Sequence, residues 1–170
     1  MKKIFLIASI VFLFNTALAN VFDSPVKLEN ITKQMPKMGS IKCTFKQEKN
    51  IKNLSKPLIS SGDFEFIQGK GVYFHTKYPV QNEVNYTSEK YKQINDIVSA
   101  LSSKKYSKLE KDFDFYYLGN INNWTLGMKP KKSSDAYNYI SSITINGKEN
   151  IDKIAINQTN GNNTTIWFEK

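Results

Sequence analysis

The fold of this chain is decided by the stretch Leu58-Ile59-Ser60-Ser61-Gly62-Asp63-Phe64-Glu65-Phe66-Ile67. Its second half alternates two phenylalanines with two acids, and successive side chains of a β-strand point to opposite faces of the sheet. After residues 68–71, which contain two glycines, the same alternation resumes at Val72 and Phe74. The stretch therefore predicts a pair of antiparallel strands with one apolar face and one polar face.

The same period of two recurs on both sides of this pair. Upstream, Ile41, Cys43 and Phe45 alternate with polar residues, which predicts an earlier strand. Asn146-Gly147 and Asn160-Gly161 have the composition of tight hairpin turns, so we expect antiparallel hairpins near the end of the chain. The further strands predicted from alternation are 70–76, 80–87, 113–117, 124–128, 139–145, 152–157 and 164–169.

Helical spacing appears in two places. Leu28, Ile31 and Met35 fall on one face of a helix before the first strand. Residues 88–101 show the clearest helical pattern of the chain, and 104–111 predict a short continuation. The apolar stripe of the 88–101 helix consists of Ile94, Ile97, Val98 and Leu101.

These elements predict an α+β fold that is mainly β. We expect a strongly curved antiparallel sheet, or incomplete barrel, closed by helices over an apolar cavity. The apolar face carries more aromatic bulk than short helices readily fill, so both an ordinary packed core and a partly empty hollow beneath a helical lid remain open. The candidate cavity-lining residues are Phe45, Phe64, Phe66, Val72, Phe74, Val84, Tyr86, Ile94, Ile97, Leu101, Trp124, Leu126, Met128, Ile145, Ile156, Ile166 and Phe168.

The first nineteen residues have the pattern of a secretory leader. Lys2 and Lys3 precede an apolar run over 4–14, and Ala17-Leu18-Ala19 supplies the small residues that a signal peptidase recognises. The run is too short for a permanent membrane span, although a retained anchor is the alternative. We expect cleavage between Ala19 and Asn20, which leaves a single exported domain over 20–170.

The charge of the chain is strongly basic and comes from lysine alone. All 24 basic residues are lysines, against 15 acids, and the formal net charge is +9. Such a protein could meet anionic lipid head groups or acidic partner surfaces, or simply reflect a compositional bias of its source. Nucleic acid is not expected as a partner, because the lysines are scattered and the arginine forks that read bases are absent.

Residues with catalytic chemistry are scarce. Cys43 is the only cysteine and His75 the only histidine. Alternation places Cys43 on the apolar face and His75 on the opposite face, which argues against a Cys–His couple. The carboxylates show no metal-ligand spacing. The sequence therefore predicts a binding protein without metal or cofactor, not an enzyme.

Several motifs, taken in order, resemble those of the LolA-like family, the periplasmic carriers of outer-membrane lipoproteins. The resemblance covers nearly all of the chain after the leader. Its motifs in the first half are 45–49, 57–64, 70–74 and Pro79, and in the second half 123–126, Pro130, 143–145 and 160–168.

The resemblance implies a fold, a role and partners. The fold is an incomplete antiparallel β-barrel whose concave apolar face is closed by helices. The role is to accept the acyl chains of a lipoprotein from an inner-membrane release complex and pass them to an outer-membrane receptor. That receptor shares the fold but is itself a lipoprotein, so the missing lipid-attachment cysteine after Ala19 favours the soluble carrier, expected as a monomer in the periplasm.

Two features depart from the family pattern. Many carriers use a buried arginine early in the sheet to hold the helical lid, and this chain has no arginine. The segment 79–113 also lacks the usual strand pair around an Asp-Gly turn, which indicates a divergent branch. Two alternatives therefore stay open: a binding protein of the same fold for another lipid or polyene product, and a structural envelope protein with a filled core.

Overall fold

The computed structural model describes residues 20–84, 92–103 and 105–170. The predicted leader 1–19 and Tyr86 lie outside the described residues, and Val84 is described by its backbone alone. Among the helices in these ranges, none is long and apolar enough to cross a membrane.

One open antiparallel sheet dominates the structure. Its order is β4-β3-β2-β1-β9-β8-β7-β6-β5, so the first long strand lies beside the last. Within the described ranges the two edge strands, β4 and β5, do not pair with each other, and the sheet is not closed. The nine strands are β1 (Ile41–Asn50), β2 (Leu58–Ile67), β3 (Gly71–Tyr78), β4 (Asn82–Val84), β5 (Phe113–Asn120), β6 (Asn123–Pro130), β7 (Ile140–Gly147), β8 (Ile151–Gln158) and β9 (Asn163–Glu169).

The strand register fixes which side chains share a face. Cys43 of β1 is opposite Phe64 of β2, which in turn is opposite Phe74 of β3. Asp63 is likewise paired with His75. Residues directly opposite each other in neighbouring strands point to the same face, so Cys43 and His75 lie on opposite faces. That part of the sequence prediction is confirmed.

In the described ranges three α-helices accompany the sheet: α1 (Leu28–Gln34), α2 (Lys92–Ser103) and α3 (Ser107–Glu110). Helix α2 lies against β3, and α1 and α3 lie against β5. The predicted stripe of α2 is buried, and Leu101 is 0% exposed. The fold is therefore mainly β with a few helices, as the sequence predicted.

The β5 edge is covered by the start of the chain. Backbone hydrogen bonds join the amide of Val26 to the carbonyl of Phe115 at 3.1 Å and the amide of Tyr117 to the carbonyl of Ser24 at 3.3 Å. Edge strands expose unpaired backbone groups that invite association. This segment satisfies part of the β5 edge before the chain enters α1.

Of the two predicted hairpin turns, one is confirmed and one is wrong. Gly161 has a φ of +86° and its amide donates to the carbonyl of Gln158 at 3.1 Å. Asn146 and Gly147, however, remain in β7, and the turn follows at 148–150. Within the strand, residue 147 has to be glycine, because a side chain there would collide with the carbonyl oxygen of Asn150 and the indole ring of Trp124.

Several predicted boundaries shift by a few residues. Strand β6 runs to Pro130, two residues beyond its predicted end at Met128, because it pairs with β5 along its whole length. Strand β4 is described only over Asn82–Val84, and 85–87 lie outside the described residues. The helix predicted over 88–101 is described from Lys92 and extends to Ser103.

Candidate functional site

An open cavity of about 420 Å³ lies at the end of the sheet where β1 begins and β9 ends. We call it the end pocket. Its floor is apolar and comes from three strands that are neighbours in the sheet: Ile41 and Cys43 of β1, Phe168 of β9 and Ile151 of β8. Charged and amide side chains surround the mouth: Asn122, Lys148, Glu149, Asn150, Asp152 and Lys170. An apolar floor with a few polar groups at the mouth is the usual character of a site for a largely apolar ligand.

A row of phenylalanine rings leads from the end pocket into the core. The ring centroids are 4.6 Å apart for Phe168 and Phe64, 5.0 Å for Phe64 and Phe74, and 5.0 Å for Phe74 and Phe45. We call these four residues the phenylalanine row. Such tilted and edge-to-face pairs each contribute about 0.5–1.5 kcal/mol beyond the area that they bury. Only Phe168 is partly exposed, so the row joins solvent to the core through the end pocket.

Cys43 is the one group on the pocket floor that could react as a nucleophile. Burial raises the pKa of its thiol to about 11, and the nearby positive charge of Lys170 opposes that shift only in part. Because the thiolate is the reactive form, Cys43 remains a protonated thiol near neutral pH. It acts on the floor of the end pocket as a small apolar side chain.

Helix α2 is tied to the sheet by a side chain on its polar face. The backbone amide of Val72 donates a hydrogen bond to Oδ1 of Asn95, with a donor–acceptor distance of 3.2 Å. The described part of β4 ends opposite Phe74, two residues further along β3. Asn95 therefore satisfies a buried strand amide at a position that no described residue of β4 reaches.

Two tyrosine hydroxyl groups lie in the core without a hydrogen-bond partner. Tyr106, just before α3, and Tyr117 of β5 are 2% and 5% exposed. No other described residue bonds to either hydroxyl oxygen. An unsatisfied buried polar group costs about 1–3 kcal/mol of folding free energy. Burial, and to a smaller extent the neighbouring Tyr117, raise the pKa of Tyr106 to about 12, and burial also raises the pKa of Tyr117.

Most of the predicted cavity residues are buried in one hydrophobic core, and three of them, Phe45, Phe66 and Ile97, also line smaller cavities. Phe168 is the only one of them on the end pocket, and it is partly buried. Tyr86 and the side chain of Val84 are outside the described part of the structure. The buried members are Phe45, Phe64, Phe66, Val72, Phe74, Ile94, Ile97, Leu101, Trp124, Leu126, Met128, Ile145, Ile156 and Ile166.

Sequence reasoning missed the end pocket and the tyrosine pair. The pocket depends on the first strand meeting the last, which brings Ile41, Ile151 and Phe168 to one cavity although they are distant in sequence. Tyr117 was recognised only as a strand residue, and Tyr106 carried no signal that separated it from a helix residue. Across 20–84, 92–103 and 105–170, no group of three or more His, Cys, Asp and Glu residues could hold a metal ion.

Neither a comparison with protein-family models nor one with curated proteins found a match to this chain. The resemblance to LolA-like carriers therefore stays a prediction from the motifs.

Proposed function

We propose that this protein is a periplasmic carrier that shelters the acyl chains of lipoproteins between its sheet and helix α2. The single observation that carries the proposal is the continuity between the end pocket and the phenylalanine row. An open apolar floor at Phe168 leads ring to ring through Phe64 and Phe74 into the core. A path of this kind suits a flexible hydrocarbon chain better than a compact polar ligand.

The energetics explain why such a carrier is needed. Burying one methylene group contributes about 0.8 kcal/mol. An acyl chain of about fifteen methylenes therefore costs on the order of 12 kcal/mol to expose to water. A lipoprotein released from one membrane reaches another only if its chains stay covered, so the proposed function is binding and transfer rather than catalysis.

In the proposed mechanism, an acyl chain enters at the end pocket and lies along the phenylalanine row. Helix α2 rests on β3, the strand that carries Phe74, and its displacement would make room for the chain. The apolar face of the sheet then becomes a cavity closed by a helix. The arginine that many LolA-like carriers use to hold the lid is absent from this chain. We assign part of that role to Asn95, which holds α2 through one neutral hydrogen bond.

The proposal also assigns a location and partners. A leader cleaved before Asn20 would deliver residues 20–170 to the periplasm as a monomer. An inner-membrane release complex would load the carrier, and an outer-membrane receptor would unload it. Neither step uses a metal or a cofactor.

The test is mass spectrometry of the protein purified from the periplasm without detergent. The expected result is a mature chain that begins at Asn20, together with an acylated lipoprotein bound in a fraction of the molecules. Phe168→Asp should remove the cargo, because a charge on the pocket floor is costly to bury. Phe168→Leu keeps the floor apolar and should retain the cargo. Phe168 is partly exposed, so both variants should fold.

Two outcomes favour other functions. A different lipid or a polyene in the complex would indicate a binding protein of the same fold with another cargo. A bare chain from every preparation would favour a structural envelope protein. One observation supports this second candidate: the core residues Leu126, Ile145 and Ile154 are all 0% exposed, as in an ordinary filled core.

A further inference from the structure

The exposed hydrophobic side chains of the structure gather at one end of the sheet. Antiparallel pairing brings the loops 51–57, 79–81, 131–139 and 159–162 to the end opposite the end pocket. We call these loops and the strand residues next to them the loop rim. Of the seven large hydrophobic residues that are exposed in the described ranges, only Ile121 lies at the other end. The six on the loop rim are between 45% and 72% exposed: Leu54, Leu58, Tyr78, Val80, Tyr137 and Tyr139.

Hydrogen bonds connect the loops of the rim. The backbone amide of Lys52 donates to Oδ1 of Asn162 at 2.9 Å, which joins 51–57 to 159–162. Thr159 donates its amide to the carbonyl of Tyr139 at 3.1 Å and its hydroxyl to the carbonyl of Asn138 at 2.9 Å. These bonds hold three of the four loops together along the edge of the sheet. These three loops therefore form one connected surface built from separate parts of the sequence, and 79–81 lies at the same end of the sheet.

The four loops of the rim carry a net positive charge. The four loops contain Lys52, Lys56, Lys131 and Lys132, against Asp135 as their only acid. Lys131 donates to the backbone carbonyl of Glu110 at 2.7 Å and lies 3.9 Å from a carboxylate oxygen of Asp114, so its charge is partly compensated. The loop 51–57, which contains Leu54, and the loop 79–81, which contains Val80, carry no acid.

Aliphatic tips, tyrosines and lysines together have the composition of a surface that enters the interface of a membrane. Leucine and valine insert among the upper acyl chains, and tyrosine prefers the level of the head groups. Lysine lays its methylenes along apolar surface while its ammonium group reaches anionic phosphates. A contact with an acidic protein would use the lysines but would leave the protruding Leu54 and Val80 without a role.

We propose that the loop rim docks this protein on the surface of an anionic lipid bilayer. The inference goes beyond the proposed carrier function, because it depends on neither the end pocket nor bound cargo. Docking through the loop rim leaves the end pocket, at the opposite end of the strands, open to solvent. The protein could then meet a membrane-bound partner at the pocket while the rim stays on the lipid.

The experiment is co-sedimentation of the purified protein with vesicles of phosphatidylcholine, with and without phosphatidylglycerol. We expect binding only where phosphatidylglycerol is present, and weaker binding as the salt concentration rises. Lys52→Gln with Lys56→Gln should weaken binding about 30-fold, the effect expected of two lysines near an anionic surface. Leu54→Ser with Val80→Ser should weaken it as well.

Matched controls lie at the other end of the sheet. Lys42→Gln removes an exposed lysine near the start of β1, and Ile121→Ser removes the exposed hydrophobic residue outside the rim. Both should bind the anionic vesicles as the unmodified protein does. Tyr139→Trp provides a direct probe: after the emission of Trp124 and Trp167, measured on the unmodified protein, is subtracted, the remaining fluorescence should shift to the blue when the new indole enters the interface.

Four results would overturn the proposal. They are no binding of the unmodified protein to the anionic vesicles, equal losses in the rim and control variants, no spectral shift of Tyr139→Trp, and retention of an acidic protein where the vesicles are not bound. Because the proposed function is tested by bound cargo and this surface by cargo-free vesicles, failure of one leaves the other standing.

Discussion

Asn95 of helix α2 accepts a hydrogen bond from the backbone amide of Val72, with a donor–acceptor distance of 3.2 Å. Val72 is 0% exposed, so water cannot replace this acceptor while the helix stays in place. The bond therefore couples the position of α2 to the satisfaction of a buried strand amide. Lifting the helix exposes the amide to water, which limits the cost of opening.

The first prediction concerns this bond. Asn95→Ala removes the acceptor and leaves the Val72 amide unsatisfied. This should destabilise the closed position of α2 by about 1–3 kcal/mol. The higher helix propensity of alanine offsets a few tenths of that loss. Hydrogen exchange should become faster across α2 and at Val72, and remain unchanged in β8.

Ser103→Ala is the matched control for the first prediction. Ser103 is exposed on the same helix and donates only to the carbonyl of Ser99, at 2.7 Å. Its removal should leave exchange at Val72 as it was. Equal acceleration in both variants would mean that Asn95 acts through helix propensity and not through the sheet.

The second prediction separates a lid from an ordinary core helix. Ile97 is 2% exposed, and truncation of a core isoleucine to alanine typically costs about 2–5 kcal/mol. If α2 opens readily, Ile97→Ala should cost less than this range in urea unfolding, yet release bound lipoprotein. Ile154→Ala, at a fully buried position on β8, should show the whole core penalty.

The same pair of variants can also contradict the lid. Equal losses of stability in Ile97→Ala and Ile154→Ala, with unchanged cargo, would place α2 among ordinary core elements. Hydrogen exchange adds a second criterion. The amides of α2 should exchange faster than those of the strands without cargo, and slow down when an acyl chain is bound.

The sheet could be predicted from the sequence because its signal is local. Phe64 and Phe66 lie on the core face of β2, where alternation placed them, and Ile143 and Ile145 do the same on β7. A period of two reports the burial of one face without any knowledge of which strands are neighbours. Strand positions were therefore accessible, and their order was not.

The features that the sequence could not supply depend on contacts between distant residues. Gly147 is needed within its strand because the Trp124 ring and the Asn150 carbonyl oxygen occupy the place of a side chain, and nothing near the Asn146-Gly147 pair indicates the Trp124 contact. The end pocket requires β1 to lie between β2 and β9. Local pattern carries no information about such an arrangement, so the end pocket was not predicted from the sequence.

The third prediction concerns the two buried tyrosines. Tyr106→Phe and Tyr117→Phe each remove an unsatisfied hydroxyl group while keeping the ring, so each should raise the free energy of unfolding by about 1 kcal/mol. For a domain of this size that gain corresponds to an increase in Tm of about 2–4 °C. Tyr137→Phe, at an exposed position, should change nothing.

The pH dependence of folding stability tests the prediction for Tyr106 in a second way. Folding raises the pKa of Tyr106 from 10.0 to about 12, so the fold favours the protonated phenol. The corresponding stability is complete below pH 10 and is lost as the pH rises towards 12. The free energy of unfolding of Tyr106→Phe should therefore fall less steeply with pH in that range. A loss of stability in either phenylalanine variant would show that the hydroxyl groups do have partners.

The last prediction uses Cys43 to report on the end pocket. Burial raises the pKa of its thiol from 9.0 to about 11, so near pH 8 the folded protein holds far less thiolate than the unfolded chain. Two pKa units correspond to about a 100-fold lower thiolate fraction, and alkylation by iodoacetamide should be slower by a similar factor. The rate should rise with pH until the thiol is ionised, near pH 11. Because Cys43 is the only cysteine, the mass increase reports this one position.

A bound acyl chain on the pocket floor should slow the alkylation of Cys43 further. Phe168→Asp, which should not hold the chain, should lose that protection. Alkylation that is equally fast with and without cargo would exclude the end pocket as the entrance for the acyl chain.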